Sequence, residues 1–253
     1  MATIHVLDET TINKIAAGEV VERPASVVKE LIENSIDAGA TSIEVEIGEG
    51  GSAYMRITDN GKGMTEEDAR LAVLRHATSK IQNVEDLFDI ASLGFRGEAL
   101  ASIASVSHFV LTTRTVDQEL GTRILIDGGT FTDCIPYGAA PGTTIEVKEL
   151  FFNTPARRKF LKTERTESSK IQDIVGKLAL SNPHIAFKLT IDERVAIITP
   201  GSGSIQDTVA ALYGYKTKND IFPIAYESEH IYIEGVVSKP TLLKSTRIWQ
   251  TII

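Results

Sequence analysis

The chain has 253 residues, 42% of them hydrophobic, which is enough to bury the core of one large domain or of one domain and part of another. Its formal net charge of -8 excludes a surface that coats nucleic acid throughout, because duplex binding requires Lys and Arg to neutralise phosphates. One cysteine and five histidines without ligand spacing exclude an internal disulfide and argue against a structural zinc site. With no long apolar run and no secretory pattern at the N-terminus, we expect a cytoplasmic protein without a membrane segment.

The first predicted helix covers Ala25 to Ala38, with Ser26 as its N-cap and Gly39 as its stop signal. Its polar residues recur at the i, i+3, i+4 and i+7 positions and therefore share one stripe opposite the apolar face; they are Glu30, Glu33, Asn34 and Asp37. Such a stripe is most often a side of the helix that faces solvent. It can also line a binding site.

A β-hairpin is predicted next, with strands at 42–47 and 53–58. The glycines Gly48 and Gly50 with Ala53 imitate a dinucleotide fingerprint, but a strand follows where that motif needs a helix, so we interpret them as a hairpin turn. After the hairpin comes an acid at a strand end, followed by glycines that let the backbone approach a ligand: Asp59-x-Gly61-x-Gly63-Met64. Alone, this pattern is an ordinary turn.

A second helix is predicted near 66–74, and 76–93 lacks periodicity, which indicates a mobile loop. The segment 92–100 then places Gly94, Arg96 and Gly97 before a helical pattern, so that the start of the helix could receive phosphate oxygens. A plain capped helix would look similar.

From residue 107 the pattern favours strands, at 107–114, 121–127, 130–137 and 143–148, with Gly142-Thr143-Thr144 entering the last of them. A helix near 164–180 and strands near 186–191 and 194–199 follow. A glycine- and serine-rich turn at 200–204 leads to a helix near 204–212 and a strand near 231–238. The P-loop motif is absent from the sequence.

A basic stretch stands out in this acidic chain, and it is a candidate for local contact with DNA. Its six basic residues, against two glutamates, are Arg157, Arg158, Lys159, Lys162, Arg165 and Lys170. A solvated helix face is the commoner explanation of such a run.

Four patterns in this order resemble the nucleotide-binding motifs of the GHKL ATPases, a superfamily that includes DNA gyrase and the histidine kinases. They are Glu30-x-x-x-Asn34, Asp59-x-Gly61-x-Gly63, Gly94-Phe95-Arg96-Gly97-Glu98 and Gly142-Thr143. Within that superfamily, the segments 15–24, 76–80 and 151–160 resemble the MutL family of mismatch repair ATPases.

The resemblance implies an α/β fold, a Bergerat-type α+β sandwich in which a mixed, mostly antiparallel sheet carries helices on one face. It places the ATP-binding domain at 1–203 and the start of an incomplete, ribosomal-protein-S5-like second (transducer) domain at 204–253.

The resemblance also implies ATP and Mg²⁺ as cofactors. Glu30 would be the general base, Asn34 the protein ligand of Mg²⁺, and Asp59 the acceptor for the adenine amino group, with Thr143 on the same edge. The remaining nucleotide contacts would come from the first predicted helix, from the glycine turn after Asp59 and from a lid over the phosphates. These residues are Asp37, Gly61, Gly63, Met64, Thr78, Ser79, Lys80, Gly94, Phe95, Arg96, Gly97, Glu98, Ala99 and Leu100.

Two functions remain open at this point. The first is a slow, Mg-dependent ATPase whose cycle gates homodimerisation, DNA engagement and recruitment of a mismatch-recognition protein and other repair factors in a bacterial cytoplasm. The second is an ATP-gated DNA clamp or scaffold with little turnover of its own. A kinase is disfavoured because the chain lacks a phospho-acceptor domain and because the residues around the four motifs resemble MutL.

Overall fold

A computed structural model describes residues 18, 21–75, 77, 97–229, 231–242 and 251. The α-helices described over their whole length are α1 (Pro24–Asp37), α2 (Glu66–Ala72), α3 (Ala99–Ser105), α4 (Pro155–Phe160), α5 (Glu164–Ser181) and α6 (Ile205–Tyr213), and two short 3-10 helices cover Glu49–Gly51 and Tyr215–Asp220. The strands are β1 (Ser42–Gly48), β2 (Tyr54–Asp59), β3 (His108–Arg114), β4 (Gly121–Asp127), β5 (Thr130–Tyr137), β6 (Gly142–Lys148), β7 (Ala186–Ile191), β8 (Arg194–Ile198), β9 (Ile221–Glu227) and β10 (Tyr232–Ser238).

The described strands β1 to β8 form one sheet in the order β5-β4-β3-β6-β2-β1-β7-β8. Only the β1 and β7 pair is parallel among these neighbours; the other pairs are antiparallel. The predicted α/β sandwich with a mixed, mostly antiparallel sheet is therefore confirmed, and so are the hairpin at β1 and β2 and the run of strands from 107 to 148.

Helix α1 forms because its apolar side chains recur on one face and its ends are well marked. Val27, Val28, Leu31 and Ile32 are at most 1% exposed, and Gly39 ends the helix in a left-handed conformation with φ of 74°. The predicted cap at Ser26 is wrong. Arg23 occupies the N-cap position and Pro24 the first turn, where the fixed φ of proline suits a helix start, and the backbone N–H of Ser26 donates to the Arg23 carbonyl.

Three rows of side chains cross the sheet on the face that packs against the helices. Two rows are apolar and buried: Met55, Val147, Phe109 and Ile126, and then Ile57, Ile145, Leu111 and Ile124. The third row lies at the ends of the same strands and is polar: Asp59, Thr143, Thr113 and Thr122. Because side chains alternate along each strand, this row continues the core face and ends it with polar groups.

Two elements depart from the sequence prediction in the second half of the chain. The short helix α4 lies in the basic stretch, where no helix was predicted, and β9 is an additional strand that pairs with β10. The helical pattern predicted after Gly94, Arg96 and Gly97 corresponds to α3, which begins at Ala99. Residues 78–96, including most of the predicted mobile loop, lie outside them.

The elements after residue 204 pack on the first unit through α5. Leu180 of α5 shares a small apolar cluster with Val209 and Ile221, and Leu212 contacts both this cluster and the main core. The division into domains at 203 and 204 stays a prediction. Among the described residues, no helix combines the length and apolarity that a membrane crossing demands.

Candidate functional site

Asp59 is the buried residue at the β2 end of the polar row. It ends β2, it is 9% exposed, and its carboxylate accepts three hydrogen bonds. The donors are the hydroxyl of Ser35 on α1 (2.8 Å), the backbone N–H of Gly61 (2.8 Å) and the backbone N–H of Thr143 (3.3 Å). Burial raises the pKa of Asp59, and these three donors act in the opposite direction. The carboxylate is thus held in one orientation by a helix, a turn and a strand.

The turn after Asp59 is pressed closely between α1 and β3, which explains its glycines. A Cβ on Gly61 would lie 2.9 Å from the Cβ and the carbonyl oxygen of Ala38, at the end of α1. Gly63 has a φ of 67°, and a Cβ there would lie 2.0 Å from the carbonyl oxygen of Arg114. Any side chain at these positions would push the turn out of place, so both glycines are needed by the backbone path itself.

Gly142 and Thr143 approach Asp59 from the neighbouring strand. Gly142 has a φ of 118°, and a Cβ on it would lie 2.1 Å from the carbonyl oxygen of Asp59. Thr143 pairs with Asp59 across β2 and β6, and with Thr113 across β6 and β3. The second and fourth sequence motifs, which are 83 residues apart from Asp59 to Gly142, therefore form one end of a single site.

Helix α1 brings the first motif to the same region. The hydroxyl of Ser35 on this helix donates a hydrogen bond to Asp59. The carbonyl oxygen of Ala38, the residue after the helix, accepts a hydrogen bond from the backbone N–H of Lys62 at 3.0 Å. Three of the four stripe residues, Glu30, Asn34 and Asp37, are partly exposed. Glu33 differs: it is 7% exposed and pairs with Lys29 at 2.9 Å, one helical turn earlier. The stripe is therefore not a uniform face toward solvent.

The third motif is only partly described. Gly97 has a φ of 61°, Glu98 precedes the first residue of α3, and Ala99 and Leu100 open that helix. Arg75 and Glu98 approach to 3.7 Å, so residues on either side of the segment 78–96 meet. Six predicted lid residues lie outside the described residues: Thr78, Ser79, Lys80, Gly94, Phe95 and Arg96.

Two residues of the site were missed from the sequence. Ser35 bonds to Asp59, and Thr113, which is fully buried, accepts the backbone N–H of Met64 at 2.9 Å. A signal existed for both. Ser35 is a polar residue on the apolar side of α1, and Thr113 continues the inward positions of Phe109 and Leu111 along β3.

A cleft of about 470 Å³ opens at the opposite end of β1 and β2. Its lining includes three carboxylates, Glu46, Asp192 and Glu193, which would repel a triphosphate. We therefore assign the site to the Asp59 end of these strands.

The basic stretch forms a separate surface on α4 and the start of α5. Arg158 and Lys159 are exposed, and Phe160 beside them is 80% exposed. Arg157 is different, because its guanidinium packs on Gly18, where a Cβ would lie 1.2 Å from it. Arg158 and Lys159 are thus more accessible to a ligand than Arg157.

Comparisons with known proteins match this chain to ATPases. Residues 22–127 match the profile of the family described as histidine kinase-, DNA gyrase B-, and HSP90-like ATPases. The ATPase domain of Aquifex aeolicus MutL complexed with ADP is 35% identical, with a TM-score of 0.64, over 82% of this chain and 73% of that chain.

The chain belongs to the MutL family of DNA mismatch repair proteins. MutL of Desulforamulus reducens is 51% identical over 99% of this chain, and MutL of Caldanaerobacter subterraneus subsp. tengcongensis is 52% identical over the same share. The chain spans 39% and 42% of those two proteins. The predicted family is thereby confirmed, and the match corresponds to the ATPase region of MutL.

Proposed function

We propose that this chain binds ATP and hydrolyses it slowly, as the nucleotide-binding part of a MutL mismatch repair protein. The observation that carries the proposal is the buried Asp59 carboxylate, oriented by Ser35, Gly61 and Thr143 at the point where two glycine-bearing turns meet. The ADP complex of the Aquifex aeolicus ATPase domain supports it further.

Asp59 is proposed to accept a hydrogen bond from the adenine 6-amino group, with Thr143 on the same edge. The carboxylate is an acceptor, and it lies beside the tight turn of Gly61 and Gly63, which packs closely on the end of α1 and on β3. Met64 follows the turn, is partly exposed and packs against the main core, so it offers an apolar contact to the base. An exocyclic amine is thus favoured over a carbonyl at this position.

Glu30 is proposed as the general base that draws a proton from the water attacking the γ-phosphate. It lies on α1 five residues before Ser35, which places it about 7.5 Å further along the helix axis from the adenine end. Asn34 lies between them and would give a neutral amide oxygen to Mg²⁺, with Asp37 one turn later on the same stripe.

The described residues contain no group of three or more His, Cys, Asp or Glu suited to a metal ion. A partly exposed amide on α1 fits a metal that arrives with a triphosphate, since phosphate oxygens already balance its charge. When bound, Mg²⁺ would neutralise charge on the phosphates.

The phosphates are proposed to lie toward α3 and the lid. Gly97, Glu98, Ala99 and Leu100 stand at the start of α3, and the contact between Arg75 and Glu98 brings the flanks of 78–96 together. Thr78, Ser79, Lys80, Gly94, Phe95 and Arg96 are the proposed lid contacts within that segment. The lid would separate the reacting phosphate and the attacking water from bulk solvent once nucleotide is bound.

In the whole protein, the nucleotide cycle is proposed to gate homodimerisation, DNA engagement and recruitment of a mismatch-recognition protein. Residues 1–203 would form the ATP-binding domain and 204–253 the start of the transducer domain. Arg158 and Lys159, with Arg157 behind them, are the proposed contacts with DNA phosphates. This exposed basic helix also favours the second candidate, an ATP-gated clamp with little turnover, which phosphate release measured with and without DNA would separate from the first.

The test of the catalytic assignment is Glu30→Ala. We expect phosphate release to fall by about 10² to 10⁴, the usual effect of a general base, while ATP affinity changes by less than about threefold, because the adenine and phosphate contacts remain. Glu44→Ala, which removes an exposed carboxylate from β1, is the matched control and should leave both quantities unchanged. Loss of ATP binding in Glu30→Ala equal to the loss of hydrolysis would contradict the role of Glu30 as a base.

A further inference from the structure

The hydroxyl of Thr113 lies at the centre of a hydrogen-bond chain beside Asp59. Its oxygen accepts the backbone N–H of Met64 (2.9 Å), lies 3.1 Å from the hydroxyl of Thr143, and lies 3.1 Å from the carbonyl oxygen of Gly142. Thr113 itself is fully buried. All of its hydrogen-bonding capacity is therefore used inside the protein, on groups that border the proposed adenine pocket.

The hydroxyl protons of Thr113 and Thr143 can be arranged in two ways. A hydroxyl has one proton and two acceptor sites, and a carbonyl can only accept. If Thr113 donates to Gly142, then Thr143 donates to Thr113, and three hydrogen bonds form. If Thr113 donates instead to Thr143, the Gly142 carbonyl has no donor from Thr113 and only two form. Because the first arrangement forms one more hydrogen bond than the second, it is favoured.

In the favoured arrangement the only proton of the Thr143 hydroxyl is occupied by Thr113. Thr143 can then present only its acceptor sites to a ligand. Asp59 lies next to Thr143 in the same row, and its ionised carboxylate is also an acceptor. At its 6-position, a purine that binds against this pair meets acceptors, which suit the two N–H groups of a 6-amino substituent; a 6-oxo group, itself an acceptor, finds no donor there.

We propose that Thr113 is a specificity-determining positioning residue: by holding the Thr143 hydroxyl as an acceptor, it makes the site select 6-aminopurine over 6-oxopurine nucleotides. The inference rests on the proposed function, since it assumes that adenine binds at Asp59. Thr113 acts through Thr143 and does not itself touch the base.

The test measures equilibrium affinities for ATP and ITP, which differ in the 6-position group and in protonation of the adjacent ring nitrogen. Thr113→Val keeps the shape of the side chain and releases the Thr143 proton, so that this hydroxyl can rotate and donate to the 6-oxo group. We expect the preference for ATP over ITP to fall by about tenfold, the effect of one additional hydrogen bond in a binding site. Thr113→Ser keeps the hydroxyl and should retain the wild-type preference.

Thr112→Val is the matched control, because Thr112 is the neighbouring residue on β3 and points to the opposite face of the sheet. A second readout is the double variant Thr113→Val with Thr143→Val. If Thr113 acts through Thr143, the double variant should show the same preference as Thr143→Val alone. Should Thr113→Val fail to fold, as judged by its thermal unfolding, Thr113→Ala provides a smaller side chain that also lacks the hydroxyl.

An unchanged ATP preference in a folded hydroxyl-free variant would overturn the inference, as would an equal loss of affinity for both nucleotides, which would indicate a packing role. Failure of the wild-type chain to bind ATP would overturn the proposed function. The two failures can be told apart: if the wild type binds ATP in preference to ITP but the variant does too, only the role of Thr113 is overturned.

Discussion

The carboxyl group of Asp59 is buried, and burial raises its pKa although three hydrogen-bond donors lower it. The folded protein therefore carries a charge that is better solvated in the unfolded chain. This cost in folding free energy exists only while Asp59 is ionised. The stability of the folded protein should therefore depend on pH through the same carboxylate that is proposed to bind adenine.

We predict that Asp59→Asn raises the thermal stability of the nucleotide-free protein near neutral pH. The amide oxygen can still accept from Gly61 and Thr143, and its NH₂ group can donate to Ser35, whose hydroxyl then donates to the Leu31 carbonyl. The variant thus keeps the hydrogen bonds and removes the buried charge, and it should lose ATP binding because a donor would face the adenine amine.

The sign of the pH effect follows from the raised pKa. Above it, the wild type bears the desolvation cost; as pH falls through the pKa of Asp59, the folded wild type binds a proton and the cost disappears. The advantage of Asp59→Asn should therefore shrink on acidification, as measured by unfolding temperature across pH. Asp117→Asn, at an exposed aspartate, should show no such trend. A variant less stable than wild type at neutral pH would contradict this account.

At the scale of elements, helix α4 can be tested separately from the nucleotide site. Charge reversal at Arg158 and Lys159 removes two exposed cations, whereas Arg157 packs on Gly18 and its replacement would also disturb packing. We predict that Arg158→Glu with Lys159→Glu weakens DNA binding. The slope of log affinity against log salt should become shallower by about 0.9 for each duplex phosphate that the variant no longer neutralises.

Lys216→Glu with Arg194→Glu, at two exposed cations after α6 and at the start of β8, changes the net charge by the same amount and should leave that slope near the wild-type value. If the α4 double variant binds DNA with the wild-type salt dependence, DNA contacts another surface. ATP affinity is expected to be unchanged in all of these variants.

Regular elements with strong patterns were predictable from the sequence, and those set by tertiary contacts were not. Strands β3 to β6 are short runs rich in β-branched and aromatic residues and are punctuated by glycines, so their bounds could be predicted within a few residues. Helix α4 has six residues and no buried one, so it has no apolar periodicity to detect. The N-cap at Arg23 was missed because Pro24 fixes the helix start without a capping side chain.

The residues of the site divide in the same way. Asp59, Gly61, Gly63 and Thr143 belong to contiguous motifs and could be named from the sequence. The roles of Ser35 and Thr113 depend on which strands are neighbours, and the order β3-β6-β2 joins segments that are far apart along the chain. A single sequence does not encode that adjacency in any local pattern.

At the scale of the whole molecule, nucleotide binding should stabilise the fold. A ligand that binds only the folded state at 100 times its dissociation constant adds about 2.7 kcal/mol. For a chain of this size we predict a rise of roughly 5–10 °C in unfolding temperature with Mg-ATP. Glu30→Ala should keep this shift and Asp59→Asn should lose it. A shift of equal size in Asp59→Asn would mean that ATP binds elsewhere.

A structure of this chain in complex with a non-hydrolysable ATP analogue and Mg²⁺ would show directly how the nucleotide is held. We expect the adenine 6-amino group within hydrogen-bond distance of the Asp59 carboxylate, the Thr143 hydroxyl on the same edge, and Glu30 facing the γ-phosphate. Adenine bound away from Asp59, or a γ-phosphate remote from Glu30, would contradict it.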